Sequence, residues 1–184
     1  MTEPNRKAWL ASDPREILLH GPSKIYLDHH WWFYPSTGIV GSYEVQAKDV
    51  HDHFGVFRGV DMIESAGQTG VSACSMLFAY IDLKSAPEVQ QRFIMAFLGL
   101  GQAVFHDFVE QGETLVNVCA IHQYKFRQIR FSAVVYKAHE PAEIAPYFAH
   151  LPEDQLGVAP VPESFKKVAE FTDFIGRAIN RNKI

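Results

Sequence analysis

The chain has 184 residues, of which 47% are hydrophobic, 21% charged and 13% aromatic. That is enough for one domain with a sizeable core, too little for two, and unlike a disordered chain. A formal net charge of −4 argues against binding nucleic acid, because proteins that neutralise phosphates carry a basic bias.

The N-terminus, MTEPNRKAWLASDP, lacks the charged-then-apolar layout of a signal peptide. Asp13 followed by Pro14 reads as an N-cap and first helical position, opening a short helix through EILL (16–19) that Gly21 and Pro22 end. KIYLDHHWWFY (24–34) is rich in β-formers, PSTG (35–38) is a turn cluster, and IVGSYEVQA (39–47) alternates as the returning strand. From Gly59 to about Ile81 the period changes to that of a helix face, with Val60, Ile63, Gly67, Gly70, Val71, Cys74, Leu77 and Phe78 on it. The glycines in this longest helix imply that something approaches its backbone closely.

After a break at Pro87, RFIMAFLG (92–99), ETLVNVCAIHQYKF (113–126) and IRFSAVVYK (129–137) read as strands, with EQGET (110–114) as a turn. Residues 139–162 are proline-rich and loop-like. VPESFKKVAEFTDFIGRAI (161–179) places Val168, Phe171, Phe174, Ile175 and Ile179 on one face and predicts a second amphipathic helix. Lys166, Lys167, Arg177 and Arg181 then form its wet side. The layout is an α+β domain, an antiparallel sheet wrapped around a long central helix, with an extra C-terminal helix. One sheet cannot cover such a helix all round, so pairing with a second copy is expected.

The segment GVSACSMLFAYI (70–81), the longest membrane candidate, has 12 residues and falls well short of a spanning helix. Cys74 and Cys119, the only cysteines, lie in apolar stretches and read as buried, reduced residues. These features predict a cytoplasmic protein with no membrane association. His51 and His53 form H-x-H and His29 and His30 a second pair, yet zinc needs three or four converging ligands and no spacing here enforces that. No metal site is expected.

Three stretches resemble the β-hydroxyacyl-acyl carrier protein dehydratases of type II fatty-acid synthesis, the FabZ/FabA group with the hotdog fold. EILLHGPSKIYLD (16–28) is similar to that family's opening helix and strand, without its usual His-Arg-Tyr-Pro. HF followed by GVDMIESAGQ (53–68) resembles its His-Phe motif and glycine-started helix with E-x-x-x-Q. FLGLGQAVFHDFVEQGETL (97–115) resembles its strand–turn–strand region, with the Gly-acid-x-Leu turn at Gly112, Glu113 and Leu115. The similarity covers roughly residues 15–138, leaving 139–184 as an extension of the single domain. One departure is GVFR (55–58), which stands where the family has a longer, proline-containing loop.

The resemblance implies catalytic roles for His53 and Glu64, a backbone N–H of Gly59 for the thioester carbonyl, and substrate contacts for Phe54 and Gln68. It also implies an acyl carrier protein or acyl thioester partner, a homodimer or trimer of dimers with histidine and carboxylate meeting across the interface, and no cofactor. The chemistry is coherent. Histidine is the best base near neutral pH, a helix N-terminus supplies an anion donor, and a desolvated carboxylate favours its acid form. Each residue has a plainer reading beside this one. Glu64 in the early turns of a helix complements the dipole for about 0.3–1 kcal/mol, Gln68 joins elements by hydrogen bonds, and His53 is a structural histidine. Lys125, Arg127 and Arg130 form either a basic patch for an acidic carrier or a solvated strand face. The function expected from the resemblance is dehydration of a (3R)-hydroxyacyl thioester. The alternatives are a hotdog thioesterase using Glu64 and Gly59 alone, or a non-catalytic acyl-binding hotdog protein.

Overall fold

The computed structural model describes residues 9–18, 21–82 and 92–183. Leu19 of the expected first helix and the expected break at Pro87 lie outside them. The first helix, α1 (Pro14–Ile17), is a single turn, in which the Asp13 carboxylate accepts the Arg15 N–H at 2.8 Å. Strands β1 (His29–Tyr34) and β2 (Gly38–Glu44) form the predicted hairpin. There follow a one-turn helix α2 (Ala47–Val50), a two-residue strand β3 (Val56–Phe57) and the long helix α3 (Gly59–Asp82). Strands β4 (Phe93–Gly99), β5 (Gln102–Phe105), β6 (Val109–Glu110), β7 (Thr114–Lys125) and β8 (Gln128–Ala138) come next. Helix α4 (Ile144–Ala149) and the 16-residue strand β9 (Phe165–Asn180) follow, and short 3-10 turns, among them Pro22–Lys24 and Arg181–Lys183, join or end these elements.

The main sheet is antiparallel in the order β1-β2-β7-β8-β9-β4, with β5 also on β9, and β3 and β6 form a separate ribbon. This is the expected antiparallel sheet around one long helix. Helix α3 is buried on every side from Ser65 to Leu77 rather than along one stripe, with Leu18, Ile25 and Leu27 packed around Val71. Its glycines do admit close neighbours. A Cβ on Gly70 would lie 2.1 Å from the Phe131 ring, so that ring rests directly on the helix backbone. The same ring stacks on Phe174 with centroids 4.7 Å apart and planes 4° apart. Buried Asn117 on β7 donates to the hydroxyls of Ser65 and Thr69 on α3, which supplies polar partners between sheet and helix. His30 pairs with Gly41, which pairs with Asn117, on the same face. His30 is buried and neither ring nitrogen has a partner; burial first, then neighbouring His29, pulls its pKa down to about 4.

Residues 161–179 are not a helix. They lie mostly in β9, a central strand that pairs with β8 on one side and with β4 and β5 on the other. The helical spacing of Val168, Phe171 and Phe174 arises from two bulges. Val168 is the extra residue where Val135 pairs with Ala169 and Tyr136 with Lys167, and Thr172 and Asp173 stand against one residue of β8. Asp173 has a positive φ of 53°, as bulged strands allow. Each bulge turns a two-residue repeat into a three-residue one. The sheet therefore continues to Asn180, and the segment outside it is 139–164. The helix that does follow β8 is α4, within a stretch expected to be loop.

That segment covers the outer face of the sheet. Ile144, Phe148, Leu151 and Leu156 pack with Trp32, Val40, Val116 and Val118, and the Trp32 indole donates to the Leu151 carbonyl at 3.0 Å. Cys74 and Cys119 are free thiols inside the inner core. Burial pushes the Cys74 thiol up to about 12 and Cys119 higher still. Among the described residues no helix is long and apolar enough to cross a membrane, and no three His, Cys, Asp or Glu residues converge as metal ligands.

Candidate functional site

The segment between β2 and α3 is fixed by local hydrogen bonding. Asp49 in α2 accepts the backbone N–H of Gln46 at 2.9 Å and the Tyr43 hydroxyl at 2.6 Å, forming a capping box at the start of the turn. The His53 N–H donates to the Val50 carbonyl and the His53 carbonyl accepts the Val56 N–H, both at 3.0 Å. Between them Phe54 and Gly55 both adopt positive φ, 56° and 79°. That pair reverses the chain so that β3 can join β6. A phenylalanine in this conformation is uncommon, and it leaves the Phe54 side chain fully in solvent.

His53 is half-buried and lines a cavity of about 290 Å³ with Lys24, Tyr26, Lys48, Asp49 and Arg58 among its walls. Sequence reasoning missed Tyr26 and Arg58 as walls of this cavity. The Arg58 guanidinium grips Asp61 at 2.5 and 2.8 Å through Nε and Nη2, a bidentate pair in the first turn of α3. The Arg58 carbonyl accepts the N–H groups of Asp61 and Met62. Buried Tyr26 lies near Asp61, Asp49 and Arg58; burial first, then Asp61, raises its phenol pKa. The i,i+3 spacing of Arg58 and Asp61 was legible in the sequence.

Gly59 opens α3 against an aromatic ring. A Cβ there would lie 2.9 Å from Phe105 on β5. Five residues on, Glu64 is half-buried and its Oε1 accepts from Gln68 Nε2 at 2.9 Å. Gln68 is buried, and its amide has two further partners. Oε1 accepts the Tyr26 N–H at 2.8 Å, and Nε2 donates to the Lys24 carbonyl at 2.6 Å. Glu64 thus stands beside residues 24–26, and His53 lines a cavity walled by Lys24 and Tyr26 from that same segment. Glu64, Gln68, Phe54 and Gly59 do not line that cavity.

This arrangement defines a fold class before any particular relative. A long helix inside a wrapped antiparallel sheet is the hotdog fold, and solved structures bear this out. The dehydratase heterocomplex ApeI:P from Xenorhabdus doucetiae matches with a TM-score of 0.62 over 93% of this chain and 93% of that chain, at 11% identity. A hypothetical thioesterase protein with coenzyme A from Streptococcus pneumoniae TIGR4 matches with a TM-score of 0.55 over 87% of this chain and 91% of that one, at 7% identity. No family model and no curated protein matches the sequence. At such identities the likeness is one of fold, which dehydratases and thioesterases share.

Proposed function

We propose that this chain is a lyase that dehydrates a (3R)-hydroxyacyl thioester, carried on acyl carrier protein, to the trans-2-enoyl thioester, in fatty-acid or polyketide-type biosynthesis. The observation that carries this reading is the path of the chain around residues 24–26. His53 lines the cavity walled by Lys24 and Tyr26, a two-residue strand and Arg58 lead on to Gly59, and on α3 Gln68 bonds both Glu64 and the backbone of Lys24 and Tyr26. In the reaction His53 takes the proton next to the carbonyl, and the electrons shift onto the thioester oxygen, held by the Gly59 N–H at the positive end of α3. The Cβ–O bond then breaks as Glu64 protonates the departing hydroxyl, releasing water. Phe54 offers an apolar contact to the acyl chain, and Gln68 aims Glu64. No cofactor takes part in these steps.

The working unit is a homodimer built on the open edge of the sheet. Among the described residues, strands β4 and β5 pair only with β9, and Phe97, Leu98 and Phe105 on this edge are exposed, as are Phe54, Val60 and Phe108. An open edge with apolar side chains calls for a partner, and a second copy supplies the same edge in reverse. Incubation with a 3-hydroxyacyl carrier-protein substrate tests the reaction: an enoyl product supports it. Release of free thiol without enoyl product would instead favour the thioesterase reading, and neither product the binding protein.

A further inference from the structure

We infer that Lys137 is a positioning residue for the His53 site, acting through a clamp that holds both ends of the segment carrying this histidine. The inference rests on the reaction proposed above for its link to activity, though not for the clamp itself. Lys137 sits at the end of β8 on the parity of Ile129, Phe131, Ala133 and Val135, all of which face the core. Its side chain is only 9% exposed, which is rare for a lysine unless its charge is answered.

The ammonium has three hydrogens and three partners. It donates to the Phe108 carbonyl at 3.1 Å, and it lies 3.1 Å from a Glu113 carboxylate oxygen and 3.5 Å from Asp107 Oδ2. Lys166, its cross-strand neighbour on β9, reaches the same Asp107 oxygen at 2.7 Å, so the four charges sum to zero. Both carboxylates also cap their own loop. Asp107 accepts the Phe108 N–H at 2.9 Å, and Glu113 accepts the Glu110 N–H at 2.8 Å. One buried cation therefore sets the shape of residues 107–113.

Those residues grip the His53 segment twice. At its start, the Gly112 N–H donates to the Val45 carbonyl at 2.8 Å and the Val45 N–H to the Glu113 carbonyl at 3.0 Å. At its end, Val109 and Glu110 pair with Phe57 and Val56 in the β3–β6 ribbon. Residues 46–55, with His53 near the far end, are suspended between these two attachments, and Gly59 follows directly after. Losing the Lys137 charge frees the loop that fixes both. Lys137 itself lines no part of the His53 cavity, so it acts on position and not on the substrate.

The test compares the full-length protein with Lys137→Met and Lys137→Arg by amide hydrogen exchange over residues 46–58, alongside steady-state kinetics on the hydroxyacyl substrate. Lys137→Met is expected to speed exchange over 46–58 while the amides of β7 and the middle of α3 stay protected. It should lower kcat by roughly 10–100-fold with KM within about threefold, the signature of a misplaced group rather than lost binding. Lys137→Arg should restore protection and most of kcat. Should Lys137→Met fail to fold, Asp107→Asn with Glu113→Gln leaves the lysine bonded to Phe108 and is expected to loosen the same segment. Unchanged exchange over 46–58 in every folded variant overturns the clamp. Faster exchange in variants of a protein that dehydrates nothing would uphold the clamp and remove the reaction assigned to the segment.

Discussion

Burial of the His30 imidazole makes this fold sensitive to acid. His30 is buried, with neither ring nitrogen hydrogen-bonded, and its pKa falls from 6.5 to about 4, by burial first and His29 second, with Asp13 opposing. Between those values the unfolded chain holds a proton that the folded protein does not. Stability therefore rises with pH across that window and falls as the medium is acidified from about 6.5 toward 4. The gap from 6.5 to about 4 corresponds to a loss of about 3 kcal/mol, at roughly 1.4 kcal/mol per pH unit. His30→Leu removes the titrating group while keeping an apolar side chain of similar bulk against α3. Urea unfolding of both proteins at pH 7, 5.5 and 4, at one fixed protein concentration, isolates the effect, because the carboxylates shared by both cancel in the difference. The variant should gain on the parent progressively, by about 3 kcal/mol between pH 7 and pH 4. A difference that stays constant over that range would show that burial of His30 does not set the acid sensitivity.

Other substitutions test the packing and the site. Gly70→Ala should destabilise by about 1–3 kcal/mol in thermal or urea unfolding, since its Cβ would meet a Phe131 ring already stacked on Phe174. Gly67→Ala, with only a Phe174 carbon at 3.7 Å, should be neutral or stabilising by up to about 1 kcal/mol in the same assay. Gln68→Met leaves the Tyr26 N–H and the Lys24 carbonyl without the amide, which should cost about 1–3 kcal/mol and lower dehydration through a loosened Glu64. Mixing inactive His53→Ala with inactive Glu64→Gln, after unfolding and reassociation, should restore about a quarter of wild-type turnover if each site takes one group from each subunit of a two-fold dimer. No recovery would place both groups on one chain.

Local periodicity made much of this fold legible. The Asp13-Pro14 start, the β1–β2 hairpin, α3 and the β7–β8 pair follow from caps, turns and alternation over neighbouring residues. Strand β9 did not, because its bulges at Val168 and at Thr172 and Asp173 mimic a helical repeat, and periodicity alone does not separate the two. Helix α4 hid among prolines. At the site, His53, Phe54, Gly59, Glu64 and Gln68 came from the order of motifs in a resemblance, whereas Tyr26 and Lys137 depend on contacts between segments far apart in the chain. Lys137 did leave one trace, a lysine on the core parity of β8, since four apolar residues at alternate positions precede it. The Phe105 ring over Gly59 and the Gln68 link to residues 24–26 left none, being products of the sheet's closure around α3.

The proposed dehydration depends on His53 and Glu64 acting together. The most direct measurement is the rate of enoyl thioester formation from a 3-hydroxyacyl carrier-protein substrate by the wild type, His53→Ala and Glu64→Gln, each checked for folding by circular dichroism. The wild type should turn over, and each variant should lose at least about 100-fold, with unfolding midpoints close to the parent. Near-normal dehydration by either folded variant would contradict it.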